Sequence, residues 1–295
     1  MKVAVIGAEG QLGSDVVAAF KRNGDQIFAL PHREVDLTHM ESVRSVLKRL
    51  RPHLTINTAA MHHLERCEDN PQQAFAVNAF GARNLALITK ELDSVLMHVS
   101  TDYVFDGAQA CPYVEEDAPR PLNVYGVTKL TGEYFVRCTN EQHFVLRTSG
   151  LYGKNPCRGK GGLNFVDLML KLGRERRDVS VVDSEIITPT CTTELAGQMV
   201  VLSRSRYYGL YHATSEGSCS WYEFAREIFR IANIPTHLRV ASPEEFPTKV
   251  ARPKYSVLEN QALKDRALNA FKAWRYGLQE YLNHRIESNF CRISN

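Results

Sequence analysis

The opening stretch constrains the chain most. Lys2-Val3-Ala4-Val5-Ile6 runs at once into Gly7-Ala8-Glu9-Gly10-Gln11-Leu12-Gly13. The first segment is short, apolar from Val3 and rich in β-branched residues, as a central parallel strand buried on both faces must be. The second begins a helical pattern with Leu12, Val16, Val17 and Phe20 on one side. Glycines at this spacing permit a tight turn, a close approach of backbone to a diphosphate, and close helix–strand packing. The first N–H groups of the helix then face the anion. An ordinary strand–helix connection is the alternative reading. The alternation that follows weighs against it: residues 26–30, 54–57 and 95–100 read as further strands with helical segments between them. That pattern specifies an α/β fold with a doubly wound parallel sheet, whose ligands gather at the carboxyl ends of the strands.

The strand ends carry the candidate ligand contacts. After the second strand comes Pro31-His32-Arg33, with no carboxylate at the tip. A basic residue there accepts a 2′-phosphate, whereas an acidic one bonds the ribose 2′-hydroxyl, so Arg33 favours NADPH over NADH. A solvated Arg33 is the other reading, and Glu34 is close. Thr38 with Glu41 fits a capping box for a helix that turns Val43, Val46, Leu47 and Leu50 inward and stops at Pro52. Asp36 and Leu37 precede it, where such folds line an adenine; a purely structural Asp36 is equally open. Thr58-Ala59-Ala60 leaves room at the end of the third strand for ribose or pyrophosphate. Met61-His62-His63-Leu64-Glu65-Arg66-Cys67-Glu68 is expected to be a loop lining a pocket. Its adjacent histidines point different ways and lack the spacing of a metal site, so no metal is assigned. A long helix is expected from Asn70-Pro71, with Phe75, Val77, Leu85, Leu87 and Ile88 as its apolar face. Within it, Asn78 either anchors its neighbours or faces solvent.

The chemistry concentrates between Val99 and Lys129. Ser100-Thr101-Asp102-Tyr103 ends the fourth strand, and Tyr125 and Lys129 follow four residues apart on a predicted helix, hence on one face. An ammonium beside a phenol lowers its pKa from about 10, which suits the phenol to proton exchange at a carbonyl or alcohol. The Thr101 hydroxyl is placed to hold the same oxygen. The acids of the intervening loop, Glu115-Glu116-Asp117, are expected to face solvent.

Whole-chain properties exclude several classes. The formal net charge of +3 is spread over scattered basic residues, which gives no dedicated nucleic-acid surface. The seven cysteines stand singly, without a Cys-x-x-Cys pair, so neither a disulfide framework nor a zinc site is indicated. No apolar run is long enough to span a bilayer, and the N-terminus enters a strand with no signal-peptide layout. A reducing, cytoplasmic setting is the expectation.

Five motifs carry a resemblance to a known family. Ser-Thr-Asp-Tyr-Val-Phe-Asp-Gly (100–107), Pro-Leu-Asn-Val-Tyr-Gly-Val-Thr-Lys-Leu-Thr-Gly-Glu (121–133) and Arg147-Thr148-Ser149 are the first three. Thr188-Pro189-Thr190 and Arg252-Pro253-Lys254-Tyr255-Ser256-Val257-Leu258-Glu259-Asn260 complete the set. Together they resemble dTDP-4-dehydrorhamnose reductase, within the extended short-chain dehydrogenases, over essentially the whole chain. The resemblance implies a Rossmann core and NADPH- or NADH-dependent reduction of the C4 keto group of a dTDP-linked 6-deoxy sugar, giving dTDP-L-rhamnose in the parent family. It implies Thr101, Tyr125 and Lys129 as the catalytic set. Gly7, Gly10, Gln11, Leu12, Arg33, Asp36, Leu37, Ala59 and Ala60 would be cofactor contacts, with Tyr125 and Lys129. Thr101, Asp102, Tyr103, Gly150 and Arg252 would lie at the substrate. Two departures touch the sugar pocket. Gly150 stands where the family usually has Trp, and Met61-His62-His63-Leu64-Glu65 replaces the usual Tyr-Thr-Ala-Val-Asp. A reductase of a different nucleotide-linked keto sugar is therefore an open alternative. So is a non-catalytic NADP-binding subunit like that of methionine adenosyltransferase.

The remaining sequence suits a smaller substrate lobe. The expected division is 1–152 with 179–212 for the dinucleotide and 153–178 with 213–295 for the substrate. Residues 154–162 form a basic, glycine-rich loop, either a cover for a diphosphate or a solvated linker. A helix from Asn164 carries Phe165, Leu168, Met169 and Leu172. Ser220 and Glu223 form a capping box ahead of Phe224, Ile228 and Phe229. Trp274, Leu278, Tyr281 and Leu282 suit a packed terminal helix, with the last ten residues weakly ordered. A dTDP-sugar is the expected partner, with a homodimer possible and no nucleic acid or membrane; a divalent metal in assembly is left open.

Overall fold

Along β1 (Lys2–Ile6) the side chains alternate between two cores. Val3 and Val5 pack with helix residues such as Val16 and Phe20, while Ala4 and Ile6 pack with Val43, Leu47 and Leu85. A strand buried on both faces can only sit inside a sheet covered by helices on each side. The computed structural model describes residues 1–157 and 161–293, with side chains described through 285 except at 243. In chain order the first half holds α1 (Gln11–Arg22), β2 (Gln26–Leu30), α2 (Met40–Leu50), β3 (Leu54–Asn57), α3 (Leu64–Asp69) and α4 (Pro71–Phe75). A π-helical turn (Ala76–Phe80) leads into α5 (Gly81–Glu91) and β4 (Val95–Thr101). A 3-10 turn (Asp102–Val104), α6 (Val124–Thr139) and β5 (His143–Thr148) follow. The second half holds β6 (Leu151–Tyr152), α7 (Phe165–Glu175), β7 (Asp178–Val181), β8 (Ile186–Ile187), β9 (Thr190–Cys191), α8 (Thr192–Ser203) and β10 (Gly209–His212). It ends with β11 (Cys219–Ser220), α9 (Trp221–Ile231), β12 (His237–Val240), α10 (Gln261–Asp265) and α11 (Trp274–Ile293).

The main sheet has the order β10-β5-β4-β3-β1-β2, and every neighbouring pair is parallel. The chain steps from β1 outward to β2 and then returns to the other side of β1 with β3. The direction of winding reverses there, which opens a ligand crevice at the carboxyl ends of β1 and β3. A third cluster of buried side chains lies apart from the sheet. Tyr152, Val166, Met169, Val179, Val181, Phe224, Ile228, Trp274, Leu278, Tyr281 and Leu282 belong to it. The Ser220–Glu223 capping box forms, and α9 presents Phe224, Ile228 and Phe229 as expected.

Several local expectations are corrected. Thr38 does not cap α2; the Asp36 carboxylate takes its N–H at 2.9 Å and its hydroxyl at 2.7 Å, and His39 is the N-cap. The segment after Met61 is a loop only to His63 and then α3. The long helix from Pro71 is interrupted by the π turn, which shifts its register. Its buried face therefore runs through Ala74, Asn78, Ala82, Leu85 and Ile88, with Phe75, Val77 and Leu87 only half-buried. Glu115 is half-buried rather than solvated, because it accepts the N–H groups of His212 at 2.8 Å and Ala262 at 3.2 Å. Leu168 is exposed. β7 pairs with β12 and packs in the third cluster, so residues 178–181 side with the smaller core by packing. Arg158, Gly159 and Lys160 of the basic loop, and the last ten residues, lie outside the described residues or side chains.

Candidate active site

Helix α6 sets the Tyr–Lys pair. Its N-cap is Asn123, whose side-chain oxygen accepts the Gly126 N–H at 2.8 Å while its amide donates to the Ala251 carbonyl at 2.9 Å. The Val124 N–H is taken by Glu68 at 2.8 Å, so α3 also anchors this helix start. Gly126 is required where it stands: a Cβ would collide with the carbonyl of Tyr103. The 3-10 turn after β4 therefore lies directly on the first turn of α6. Tyr103 and Tyr125 meet edge to face with ring centroids 6.0 Å apart.

This contact places the Tyr125 phenol near the Thr101 hydroxyl and the Asp102 carboxylate. Burial and the nearby Asp102 carboxylate hold the Tyr125 phenol above its ordinary pKa. The expected lowering by Lys129 is not what the structure gives, and the reason is where the ammonium points. Lys129 is buried, and its Nζ donates to the Val99 carbonyl at 2.7 Å, with His98 Nε2 at 3.4 Å. Burial pulls Lys129 itself down to about 8. His98, buried beside that cation, is pushed well below its usual pKa and is neutral. Its Nδ1 lies 3.0 Å from Asn57 Nδ2, and Asn57 Oδ1 accepts the Ala59 N–H at 3.1 Å. A continuous buried network thus joins Lys129 to the loop after β3.

A second network lies behind the first. Arg147 and Glu133, both buried, pair through Nη2 at 2.8 Å and Nε at 3.0 Å and 3.2 Å, and Ser100 donates to Glu133 at 2.5 Å. Asn78, fully buried, excludes its solvent-facing reading: it bonds both the N–H and the carbonyl of Met61 and donates to Thr128 of α6 at 3.0 Å.

The crevice at β1 and β3 has the form a diphosphate needs. Gly7 adopts φ +76°, and a Cβ on it would come within 3.0 Å of the Ala59 nitrogen; a Cβ on Gly13 would collide with the Gly7 carbonyl. Gly10 is the N-cap of α1 with no side chain over it, so the first turn of N–H groups faces the crevice. Gln11 reaches to the carbonyls of Asn155 at 3.3 Å and Gly153 at 3.5 Å and ties that turn to the following loop. Ala59 and Ala60 stand opposite, at the end of β3. Arg33 is at the tip of β2, exposed and paired with Glu9 at 2.7 Å. Asp36 spends its carboxylate on Thr38 and on His39 at 3.0 Å, and Leu37 is buried against Gly81. These residues fit a dinucleotide with its pyrophosphate at α1.

The expected substrate residues divide. Tyr103 is half-buried beside Tyr125, and its phenol is raised by burial and by Asp102 and Glu185 against the pull of Arg252. Arg252 therefore does reach this neighbourhood. It pairs with Glu65 at 3.4 Å, and its Nε is buried with no hydrogen-bond partner among the described residues. Asp102 is buried and accepts from Thr101 at 3.0 Å on Oδ1 and from Ser149 at 2.9 Å and Ser256 at 2.6 Å on Oδ2. Gly150 is a turn glycine with φ +56°, where a Cβ would come 2.8 Å from the Thr188 carbonyl. It can shape the pocket only through backbone. The residues after Met61 scatter: His63 caps α3, Cys67 is buried with its thiol pushed up to about 11, and His62 Nε2 lies 3.6 Å from Cys157. Among the described residues no group of three or more His, Cys, Asp or Glu could hold a metal ion. A cavity of about 540 Å³ between α7 and α11, lined by Lys154, Asp167, Lys171, Arg174 and Arg285, contains none of the catalytic set.

The chain is similar to known proteins along nearly its whole length. The family described as RmlD substrate binding domain matches residues 1–286. The spore coat polysaccharide biosynthesis protein SpsK of Bacillus subtilis is 36% identical over 284 residues, 96% of this chain and 98% of that protein. A dTDP-4-keto-6-deoxy-D-glucose reductase of Streptomyces niveus is 36% identical over 278 residues, 94% of each. The crystal structure of dTDP-4-dehydrorhamnose reductase from Bacillus anthracis in complex with NADP superposes with a TM-score of 0.91 at 36% identity, covering 96% of this chain and 99% of that one.

Proposed function

The chain belongs to the RmlD substrate binding domain family, and from that premise we propose that it reduces the C4 keto group of a dTDP-linked 6-deoxy-4-keto sugar with NADPH, converting dTDP-4-dehydro-L-rhamnose to dTDP-L-rhamnose. The observation that carries the reading is the meeting of Thr101, at the carboxyl end of β4, with Tyr125 on the helix that also bears Lys129. When bound, NADPH supplies the hydride that the carbonyl carbon accepts. The chain supplies the proton: Tyr125, kept protonated by burial, donates it to the resulting alkoxide as a general acid. Thr101, bonded to Asp102 at 3.0 Å, stands beside Tyr125 and would hold the same carbonyl oxygen. Lys129 sits one turn further along α6, its Nζ on the Val99 carbonyl, and would hold the nicotinamide ribose. Gly7, Gly10 and the start of α1 would hold the pyrophosphate, and Ala59 and Ala60 the adjoining ribose. Arg33 supports NADPH over NADH, although its pairing with Glu9 leaves NADH usable. Arg252 supplies a guanidinium suited to the sugar diphosphate.

The backbone turn at Gly150 and the α3 segment beginning at Leu64 favour a second reading, in which the sugar is another nucleotide-linked ketone. The main sheet is assigned to the dinucleotide and the third core to the nucleotide sugar. Exposed Phe80, Val127 and Tyr134 on neighbouring helices support a homodimer. The six described cysteines are all free, which supports a reducing, cytoplasmic setting, and no described helix is long and apolar enough to cross a membrane.

The deciding experiment measures NADPH oxidation with a panel of dTDP-, UDP- and GDP-linked 4-keto sugars and identifies the product. Turnover confined to dTDP-4-dehydro-L-rhamnose supports the first reading. Preference for another sugar selects the second. Binding of NADPH without turnover of any of them makes the protein a non-catalytic dinucleotide-binding subunit.

A further inference from the structure

We infer that His98 is a positioning residue for Lys129: Asn57 holds the His98 ring with its proton on Nε2, so that a donor faces the lysine nitrogen and favours the amine over the ammonium. The inference rests on the function proposed above, in which Lys129 serves the nicotinamide ribose. The direction is set from a backbone N–H, which can only donate. The Ala59 N–H gives its proton to Asn57 Oδ1 at 3.1 Å, so the oxygen of that amide is spent on the loop after β3. The other end, Asn57 Nδ2, lies 3.0 Å from His98 Nδ1. An amide nitrogen only donates, so Nδ1 is the bare, accepting nitrogen of the ring, and a neutral imidazole then carries its one proton on Nε2. An imidazolium would set a second donor against the Asn57 amide. Asn57, His98 and Lys129 are each no more than 2% exposed, so water does not offer them other partners.

His98 Nε2 stands 3.4 Å from Lys129 Nζ. An ammonium has three donors and no acceptor, so at this contact it meets the positive end of an N–H; an amine meets it with a lone pair. The other partner of Nζ, the Val99 carbonyl at 2.7 Å, accepts from either form. Val99 therefore fixes where the nitrogen lies, and His98 selects how many protons it carries. Burial acts in the same sense and brings Lys129 to about 8. Glu133, one turn along α6, opposes both, but its carboxylate is already held by Arg147 of β5 and Ser100 of β4. The other charged or titratable groups against α6 lie elsewhere on it. Cys67 of α3 and Asp102 and Tyr103 of the 3-10 turn act at Tyr125, Glu68 of α3 holds the Val124 N–H, and Arg83 of α5 lies over Phe135. A lysine that titrates near neutral pH can accept as well as donate at a ribose hydroxyl, which a permanently charged one cannot.

Two measurements test this. In the unaltered protein, long-range proton–nitrogen NMR correlation of the His98 ring, assigned from its backbone, should show the proton on Nε2 and a bare Nδ1. A proton on Nδ1 would overturn the inference without any variant. His98→Phe keeps a ring and removes the donor. It should move the Lys129 titration up by about one unit or more, from about 8 toward 10.5. The nitrogen-15 resonance of Nζ, identified as the one that Lys129→Met deletes, reports that shift directly. With turnover, the matching limb in the pH profile of kcat should move with it, while KM for the dTDP-sugar stays within about twofold of the parent. An unmoved Lys129 titration, whatever the change in Tm, makes His98 a packing residue only and overturns the inference. If His98→Phe does not fold, His98→Leu is read in the same way. If the parent protein turns over no keto sugar the proposed function fails, and the ring tautomer and the Nζ titration still decide whether His98 governs Lys129.

Discussion

Tyr125 and Lys129 are four residues apart, the first half-buried and the second fully buried, and burial acts on them in opposite senses. The phenol is made a weaker acid and the ammonium a stronger one. The first effect suits a proton donor. Tyr125→Phe should lower kcat about a hundred- to ten-thousand-fold while leaving NADPH affinity, read by fluorescence titration, within a small factor. The second effect costs stability. Lys129 falls from 10.5 when unfolded to about 8 when folded. Below pH 8 both states carry the proton and the full cost of burying the charge is present; between 8 and 10.5 the folded state sheds it first, so stability rises with pH. Lys129→Met should therefore abolish activity yet stabilise the protein at neutral pH by about 1–2 kcal/mol, after allowing for the lost bond to Val99. Thermal melts across this range should show the gain fading toward pH 10.5.

At the scale of elements, the strand-to-helix contacts decide where these side chains point. Gly126 admits the Tyr103 carbonyl into the first turn of α6. Gly126→Ala should cost about 1–3 kcal/mol and lower kcat with little change in KM for NADPH, because it pushes Thr101 away from Tyr125. Gly150→Trp, which restores the usual family residue, should destabilise rather than tighten substrate binding. A side chain there meets the Thr188 carbonyl in a left-handed backbone, and a lower Tm with unimproved KM for the sugar is the expected reading. The same elements explain what the sequence could disclose. The β1 run, the glycine turn and the Ser220 capping box are local patterns, and the structure forms each of them. Tyr125 and Lys129 were legible because helical spacing fixes their face. The Thr38 cap was misread because a neighbouring carboxylate competed for the same groups. The roles of Asp102, Ser149, Ser256 and the Asn57–His98 pair depend on partners dozens of residues away, which no window along the chain contains. For Ser149 and Ser256 the only signal was their place inside the Arg147-Thr148-Ser149 and Arg252–Asn260 motifs.

Across the whole molecule, the segment 249–256 is tied to the first half of the chain by polar contacts: Lys249 pairs with Asp69, Arg252 with Glu65, the Ala251 carbonyl accepts from Asn123 and Ser256 donates to Asp102. The sheet and the third core are separate clusters of buried side chains, so damage to one should be partly separable from the other. Leu278→Ala empties a fully buried site in the third core and should cost about 2–5 kcal/mol. NADPH binding should persist while KM for the dTDP-sugar rises, as paired dinucleotide titrations and initial rates would show. The Glu133–Arg147 pair works at this same scale. Opposite charges sealed from water add little to endurance, since the hydration each surrenders rivals their attraction. Their value is geometric: a forked cation on β5 accepts one rotational setting of α6 and rejects its neighbours. A lineage could exchange the couple for hydrocarbon and keep a sturdy fold, but the helix would then be free to settle a notch away from alignment.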